Sequence, residues 1–494
     1  MTNRLSDRRD RTEHGKRLRE QTPRKAHAKL NGPLGRDAVA ILAESDANRL
    51  PELLPLRYKL MTTDPFAFLR GAAAVMATDL VQQPMAGAPV QACGDCHLMN
   101  FGAFASPEDN ILFDINDFDE TLPGVDFTVD VKRLAASVAV AAQAAKLLTK
   151  RARSLAASTV GAYREHMYAL MEQSPLEIWH SRIDLEQERK RIKNPVLRRS
   201  LSTLIARARW RGLEKDDNFP RLVRGAEPRI ADNKPTIFHL PPSADPKRRI
   251  DPQRVFGQYR ESLTPDRATL LDRYGMRDLA FKAVGVGSVG TFCCVGLFMS
   301  GDNEPFFLQV KEAQHSVLER LGAALAYQGP QGRRVVEGQR MMQAASDIFL
   351  GWTEDEASGR QFYVRILKNR RLGAVSDIAE QEALADYARL CGRTLARSHA
   401  RTGDPAVIAG YMGRSKAFDD AIASFALAYT DQTAEDHAAL VKAKGHAGAG
   451  RKKGTAQASA PGADKAAAHP SEGARGRAAR IRAGAARAPM GSPH

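Results

Sequence analysis

Two short acidic segments carry side chains suited to phosphoryl transfer. Asp95 and Asn100 lie five positions apart in GDCHLMN, and Asp117 follows a strand-like apolar run. Phosphoryl transfer needs a carboxylate beside the acceptor hydroxyl and oxygen ligands for Mg²⁺. We therefore predict that Asp95 is the catalytic base and that Asn100 and Asp117 hold Mg²⁺. The competing interpretation is that these side chains only cap turns and face water, since Asp and Asn are common in turns.

A glycine-rich turn further along the chain is suited to phosphate binding. It has the sequence GVGSVG and lies between two predicted strands. Glycine lets the backbone come close to phosphates and point its N–H groups at them. A third predicted strand, residues 306–310, delivers a lysine that resembles the kinase lysine in contact with the α- and β-phosphates. The residues predicted to bind ATP are Gly285, Gly287, Ser288, Gly290, Lys311 and Glu337.

The lysine of such a site needs a carboxylate that holds it in place. We predict that Glu337 does so, from a helix over residues 333–345. Glu319, on the preceding helical run, and Glu312, next to Lys311, are the competing candidates. The sequence leaves this choice open.

The two acidic segments resemble loops of one branch of the protein kinase-like superfamily, that of the aminoglycoside phosphotransferases and choline kinases. GDCHLMN resembles the catalytic loop, NDFDE resembles the metal-binding loop, and DVKRLA resembles the helix start that follows them. Cys93 stands where those enzymes usually have His, which removes one customary hydrogen bond within the loop. The resemblance implies Mg-ATP as cofactor and phosphoryl transfer to a small-molecule or protein acceptor that the sequence does not identify.

The order of the motifs differs from that superfamily, in which the glycine-rich loop and the lysine precede the catalytic loop. Here the acidic segments come first. YARLCGRTLARSH, residues 387–399, resembles the helix that normally leads into the catalytic loop, as a circular permutation would require. The expected fold class is α+β: a protein kinase-like two-lobe fold in circularly permuted order, with the helical lobe and its catalytic loops first and the antiparallel β nucleotide lobe second. The alternative is that the kinase resemblance is illusory.

Over most of its folded length the chain also resembles a bacterial family known as domain of unknown function 2252. The stretches that carry this resemblance are FAFLRGAAAVMATDL, QACGDCHLMNFGAFASPE, FDINDFDETLPG, VKRLAAS and LQVKEA. That family name implies no substrate.

Composition and pattern divide the chain into five predicted segments. They are a basic flexible N-terminal arm (1–35), a helical lobe with the catalytic and metal loops (36–275, including a basic insertion over about 175–275), a β-rich nucleotide-binding lobe (276–370), helices that return to the helical lobe (371–440) and a disordered basic tail (445–494). The insertion is the expected place for acceptor specificity. Within the helical lobe, Asp64 followed by Pro65 predicts one helix over residues 64–81.

The formal net charge is +16, and residues 441–494 alone hold 11 Lys/Arg against 2 Asp/Glu. This predicts weak contact between the tail and nucleic acid or anionic surfaces. The charged N-terminus lacks the apolar region of a signal peptide, and no apolar run is long enough to span a bilayer. The five cysteines indicate free thiols in a reducing compartment. We expect a cytoplasmic protein without membrane insertion.

Other functions fit parts of the same pattern. The ligands of a metal-dependent phosphohydrolase would be Asp95, His97, Asp114 and Asp117. That function leaves the glycine-rich turn and Lys311 unexplained. The ligands of a thiol-bound zinc site would be Cys93, Cys96 and His97, with Cys293 or Cys294. A catalytically altered pseudokinase, or an enzyme that transfers AMP, would keep nearly the same residues as a kinase.

Overall fold

The structure is a computed structural model of the chain. It describes residues 6–31, 35–209, 220–223, 227–240, 251–283, 285, 287–367 and 383–449. The predictions for residues 368–382 and for the tail beyond residue 449 lie outside the described residues.

The described part of the chain is a mixture of helices and antiparallel strands. Its helices are α1 (Arg8–Gln21), α2 (Ala38–Asp46), α3 (Leu54–Met61), α4 (Pro65–Gly71), α5 (Ala73–Leu80), α6 (Phe127–Ala144), α7 (Thr149–Met171), α8 (Pro175–His180), α9 (Leu185–Arg191), α10 (Pro195–Arg209), α11 (Pro252–Glu261), α12 (Pro265–Leu271), α13 (Gln331–Met342), α14 (Leu384–Ala400), α15 (Pro405–Met412) and α16 (Ala417–Ala449). Its strands are β1 (Pro89–Ala92), β2 (Phe101–Ala105), β3 (Ile111–Ile115), β4 (Leu122–Asp126), β5 (Leu222–Val223), β6 (Arg229–Ile230), β7 (Ile237–Phe238), β8 (Tyr274–Lys282), β9 (Cys293–Ser300), β10 (Pro305–Glu312), β11 (Gly351–Asp355) and β12 (Arg360–Ile366). This confirms the α+β class. Among the described helices, none combines the length and the apolar character needed to cross a membrane.

A six-stranded antiparallel sheet forms one half of the fold, with strand order β11-β12-β10-β9-β8-β7. The glycine-rich turn joins β8 to β9, and β10 brings Lys311 opposite Cys293 on one side and Tyr363 on the other. The aromatic and branched residues of these strands alternate, so one face of the sheet forms an apolar core. The predicted strands around the glycine-rich turn are therefore present.

Helices α11 and α12 pack on this sheet, which corrects the predicted lobe boundary at residue 275. The Tyr259 hydroxyl of α11 donates to the Phe349 carbonyl at 2.6 Å, and the Thr353 hydroxyl of β11 donates to the Val255 carbonyl at 2.9 Å. Residues 251–275 thus belong with the sheet. The amphipathic pattern of α11 shows that one face is covered, but it does not show which lobe covers it.

The other half of the fold is built around α6, which is buried along nearly its whole length. Helices α7 and α14 pack beside it, and their small residues allow close approach: a Cβ on Gly392 would lie 2.4 Å from the Thr159 carbonyl oxygen. Buried Asp130 and Arg133 lie on α6 among apolar neighbours. Because buried charges are costly without partners, these two residues point to an organised polar site.

The prediction of a flexible N-terminal arm is wrong for the described residues 6–31, which include helix α1. Helix α1 packs against α15 through two glycines: a Cβ on Gly15 would meet the Val407 carbonyl oxygen at 2.1 Å, and one on Gly410 would meet the Thr12 carbonyl oxygen at 2.3 Å. Arg11 also donates to Asp404 at 2.9 Å. The contact uses small residues and charges rather than an apolar stripe, so hydrophobic periodicity did not reveal it.

Two other predicted boundaries change. The helix predicted over residues 64–81 breaks at Ala72, where the Gly71 carbonyl accepts from Arg57 Nη2 at 3.0 Å. Helix α16 continues to Ala449, beyond residue 445, where the disordered tail was predicted to begin.

Candidate active site

Asp95 lies in the loop after β1 and is held by an arginine of α6. Arg133 donates to Asp95 Oδ1 from Nε at 3.0 Å and from Nη2 at 2.7 Å. Burial raises the pKa of the Asp95 carboxyl, and the facing guanidinium opposes that rise. Gly94 has φ +89, and a Cβ there would lie 2.4 Å from the Glu120 carbonyl oxygen, so this tight loop requires glycine.

The backbone of the same loop is anchored by a buried polar chain. Asp130 accepts from the N–H of Cys93 at 2.6 Å and from that of Gly94 at 2.9 Å. His399 Nε2 lies 3.1 Å from Asp130 Oδ2, and the Tyr163 hydroxyl lies 2.9 Å from His399 Nδ1. His399, at the end of α14, therefore supports the loop that carries Asp95 from behind.

Asn100 joins the first acidic loop to the second. Its Nδ2 donates to the Asp95 carbonyl at 2.9 Å and to the Asp117 carbonyl at 3.2 Å. The amide oxygen is then the side-chain atom left to face a cation. The Cys93 thiol donates to the same Asp117 carbonyl at 3.5 Å, so a thiol contact stabilises the loop at this position.

The second acidic loop meets Lys311. Lys311 Nζ lies 3.3 Å from Asp117 Oδ1 and pairs with Asp119 Oδ2. The lysine side chain is 3% exposed, whereas the two carboxylates are 24% and 27% exposed. Burial alone would lower the pKa of Lys311, but Asp117 and then Asp119 outweigh it and raise that pKa. The sequence predicts specific roles for Lys311 and Asp117 but none for Asp119.

The Asp119 carboxylate has two further donors. The Tyr363 hydroxyl donates to Oδ1 at 2.7 Å, and the Ser288 hydroxyl of the glycine-rich turn donates to Oδ2 at 3.3 Å. Burial raises the pKa of Asp119, and the neighbouring Asp117 raises it further. The glycine-rich turn, the second acidic loop and the sheet thus meet at the Asp119 carboxylate.

The glycine-rich turn is held in place from the other side. Gly285 and Gly290 both have positive φ, as the tight turn requires. The Gly290 carbonyl accepts from the Leu50 N–H at 2.8 Å, and Arg57 Nη1 donates to the Gly287 carbonyl at 3.3 Å. The carbonyl oxygens therefore turn toward residues 49–57, and Ser288 turns toward the acidic loop.

Glu337 is not the partner of Lys311, contrary to the prediction. It accepts from Arg333 Nε at 2.7 Å and from the Tyr327 hydroxyl at 3.3 Å. Its competitors are also engaged elsewhere: Glu319 with His315, and Glu312 with Arg360 and the Phe292 N–H. Lys311 is already neutralised by the two carboxylates of the metal loop.

Helix α13 contacts the centre through Arg334 instead. Arg334 Nη2 donates to the Asp119 carbonyl at 2.9 Å and to the Gln314 carbonyl at 2.7 Å, and Nη1 donates to the Thr121 carbonyl. The side chain is almost completely buried. Nothing in the sequence around Arg334, three positions before Glu337, indicates that this arginine belongs to the site.

The residues can hold Mg²⁺ only as an open site. Among the described residues, no group of three or more His, Cys, Asp or Glu side chains is arranged to hold a metal ion. The zinc site considered from sequence is therefore not assembled there. Asp117 with the amide oxygen of Asn100 is a donor set that suits Mg²⁺, which usually keeps several waters and takes oxygens from bound phosphates.

A separate cavity of about 650 Å³ lies away from this centre. Both ends of the predicted insertion contribute to it, through Trp179 and Arg182 at one end and Arg267 at the other, together with Arg340 and Asp347. None of the predicted site residues lines it. The cavity and the Asp95–Lys311 centre are thus distinct features of the fold.

Fold and site together define an α+β protein in which a buried lysine meets two carboxylates where a six-stranded sheet joins a helical core. The chain belongs to a bacterial family: residues 49–443 match the family described as "Uncharacterized protein conserved in bacteria (DUF2252)". This confirms the family resemblance seen in the sequence. No curated protein and no solved structure matches the chain.

Proposed function

We propose that this chain is a kinase-like, ATP-dependent phosphotransferase acting on a small-molecule or protein acceptor. The observation that carries the proposal is the pair between Lys311 Nζ and Asp117 Oδ1 at 3.3 Å. The sequence assigns these side chains separately to the α/β-phosphates and to Mg²⁺, and they are 194 positions apart in the chain. A surface lysine at the end of a strand would not need to be buried beside two carboxylates.

Each predicted residue has a role in the proposed site. The glycine-rich turn covers the phosphates, Lys311 contacts the α- and β-phosphates, and Asn100 and Asp117 hold Mg²⁺, which neutralises phosphate charge when bound. Asp95 orients the acceptor and accepts its proton. Arg133 fixes this carboxylate through Oδ1, so the proton goes to Oδ2.

Contacts at the end of α14 support a circularly permuted kinase-like order. The Gln91 N–H donates to Thr402 Oγ1 at 3.1 Å, and a Cβ on Gly403 would lie 2.7 Å from Val90 Cγ1. The end of α14 therefore lies beside the strand that leads into the Asp95 loop. In an unpermuted chain, this is where the helix would continue into that strand.

The alternative phosphohydrolase is less well supported. Its four-ligand set requires Asp114, which is fully buried and accepts from Arg397 Nη2 at 2.7 and 2.8 Å. A carboxylate in that position is committed to an internal ion pair.

Nucleotide binding tests the proposal. Thermal unfolding is measured with millimolar ATP and Mg²⁺ on the wild type, Asp117→Asn and Lys311→Ala. Saturation at 100 Kd adds about 2.7 kcal/mol, and both variants should lose most of that gain. Exposed Asp302→Asn and Lys150→Ala are matched controls that should respond like the wild type.

The outcomes separate the parts of the proposal. No response of the wild type to ATP rules out the kinase-like function, and an unchanged response in both site variants rules out the residue assignment. Label transferred to an acceptor from the γ-phosphate indicates phosphoryl transfer, whereas label from the α-phosphate indicates AMP transfer. Binding without transfer of either label indicates a pseudokinase.

The thiols support a reducing, cytoplasmic location. All five cysteines are free and buried, and such thiols are typical of proteins kept in a reducing compartment.

A further inference from the structure

Asp119 is contacted from four separate elements of the fold. Lys311 of β10 pairs with Oδ2, the Tyr363 hydroxyl of β12 donates to Oδ1 at 2.7 Å, and Ser288 of the glycine-rich turn donates to Oδ2 at 3.3 Å. Arg334 of α13 donates to the Asp119 carbonyl at 2.9 Å. Both the side chain and the backbone of this residue are therefore fixed.

The two carboxylates beside Lys311 are not equivalent. Both oxygens of Asp119 accept from side-chain hydroxyls, so a cation bound there would deprive Tyr363 and Ser288 of this acceptor. Asp117 lies next to Asn100, whose amide bonds its carbonyl at 3.2 Å. Asp117 is thus the better placed for Mg²⁺, and Asp119 is the better placed to hold the lysine.

We propose that Asp119, and not a glutamate of α13, is the positioning residue that holds Lys311 toward the nucleotide phosphates. This inference rests on the proposed function. With Asp117 bound to Mg²⁺, Lys311 would keep Asp119 as its carboxylate partner. Asp119 thus links the lysine, the metal loop and the glycine-rich turn.

Helix α13 does not supply the carboxylate that pairs with Lys311. It has another role. Arg334 binds three backbone carbonyls, those of Asp119, Thr121 and Gln314. The helix therefore fixes the metal loop that carries Asp119. Glu337, one turn further along, forms a pair with Arg333 on the same helix.

Nucleotide affinity in the full-length protein distinguishes the two carboxylates. Dissociation constants for ADP and adenosine are measured by calorimetry in EDTA for the wild type, Asp119→Asn and the control Glu337→Gln. Asp119→Asn should weaken ADP binding about tenfold, roughly 1.4 kcal/mol, and leave adenosine affinity unchanged. Glu337→Gln should match the wild type for both ligands.

The direction of the change in ADP affinity distinguishes the possible roles of Asp119. Removing a carboxylate beside the phosphates relieves charge repulsion, so Coulomb's law alone predicts tighter ADP binding. A loss of affinity therefore has to act through the lysine. A metal-ligand role predicts no loss in EDTA, and a merely structural role predicts equal losses for ADP and adenosine.

A double-mutant cycle completes the experiment. In a Lys311→Met background, Asp119→Asn should cause no further loss of ADP affinity, because its effect passes through the lysine. Equal losses in both backgrounds, or a loss caused by Glu337→Gln instead, would overturn the inference. If Asp119→Asn unfolds the protein, Tyr363→Phe removes one donor to Asp119 and should give a smaller loss with the same dependence on Lys311.

If the wild type binds ADP and Asp119→Asn binds it equally well, the inference fails and the proposed function stands. If the wild type binds neither ADP nor ATP, the proposed function fails, and this inference fails with it.

Discussion

The ion pair between Arg397 and Asp114 allows a quantitative test of how the fold holds the segments around the candidate site. Both side chains are 0% exposed, and Arg397 Nη2 lies 2.7 Å from Oδ1 and 2.8 Å from Oδ2. Arg397 also donates to the Met342 carbonyl at 2.6 Å, and Asp114 accepts from the Ala344 N–H at 2.8 Å. The pair therefore joins α14 to β3 and to the end of α13.

The perturbation is Asp114→Asn, which keeps an acceptor for the Ala344 N–H and removes the charge opposite Arg397. Removing one partner of a buried pair costs about 3–5 kcal/mol, because the other charge stays buried without compensation. Arg397→Met should cost less, since Asp114 keeps the N–H donors of Ile115 and Ala344. With both changes no unpaired charge remains, so the double variant should recover about 2 kcal/mol relative to the sum of the single changes.

Urea unfolding of the full chain measures these free energies. The exposed pair Arg260–Asp272, with both side chains 48% exposed, is the matched control, and Arg260→Met and Asp272→Asn should each cost less than about 1 kcal/mol. A cost below 1 kcal/mol for Asp114→Asn, or additive effects in the double variant, would show that the pair is not buried as described.

Three further predictions concern other parts of the chain. Gly15→Ala should destabilise the protein by about 1–3 kcal/mol through overpacking against Val407 and should speed proteolytic release of α1. The control is Gly257→Ala in α11, where the Cβ position has open space around it. This change should be neutral or stabilising by up to about 1 kcal/mol. Burial raises the pKa of Glu120 to about 7, so its contribution to stability is lost as pH rises from about 4.5 to 7; Glu120→Gln should therefore raise the melting temperature at pH 8 and have little effect at pH 4.5. Deleting residues 450–494, which hold 9 Lys/Arg and 2 Asp/Glu, should abolish salt-sensitive retention on nucleic acid and leave the melting temperature unchanged.

Each of these has a contrary result. Equal destabilisation by the two glycine changes would contradict the close packing of α1. A Glu120→Gln effect independent of pH would show that the carboxyl does not titrate in this range. Retention on nucleic acid that survives the deletion would move the contact surface to the remaining chain.

The parts of the site that the sequence predicted are those defined by residue type and local spacing. Asp95 and Asn100 share one short loop, and a strand that carries Lys311 follows a glycine-rich turn. The local sequence pattern is therefore enough to predict these residues as parts of a site. The partner of Lys311 was predicted wrongly because it depends on contacts between distant segments. Asp119 and Glu337 are both acidic residues in plausible elements, and only the packing of β10 against the metal loop decides between them.

The same limit explains the errors in the fold. Helix α1 looked unsupported because its contact with α15 depends on Gly15 and Gly410, and hydrophobic patterns do not register glycine contacts. Helices α11 and α12 looked like part of an insertion because an amphipathic face does not identify what it packs against. The second error concerns only the partner of the helices, whereas the first missed both helix α1 and its partner.

The distance along the chain between α14 and the Asp95 loop is not an obstacle to the proposed permuted order. His399 contacts Asp130 across 269 residues, and Gln91 contacts Thr402 across 311 residues. Loop-closure entropy grows only with the logarithm of length, so each doubling of a separation costs about 0.6 kcal/mol. The buried hydrogen bonds that Asp130 makes to the N–H groups of Cys93 and Gly94 contribute more than that. Packing around the Asp95 loop is therefore compatible with a permuted order of the segments that build it.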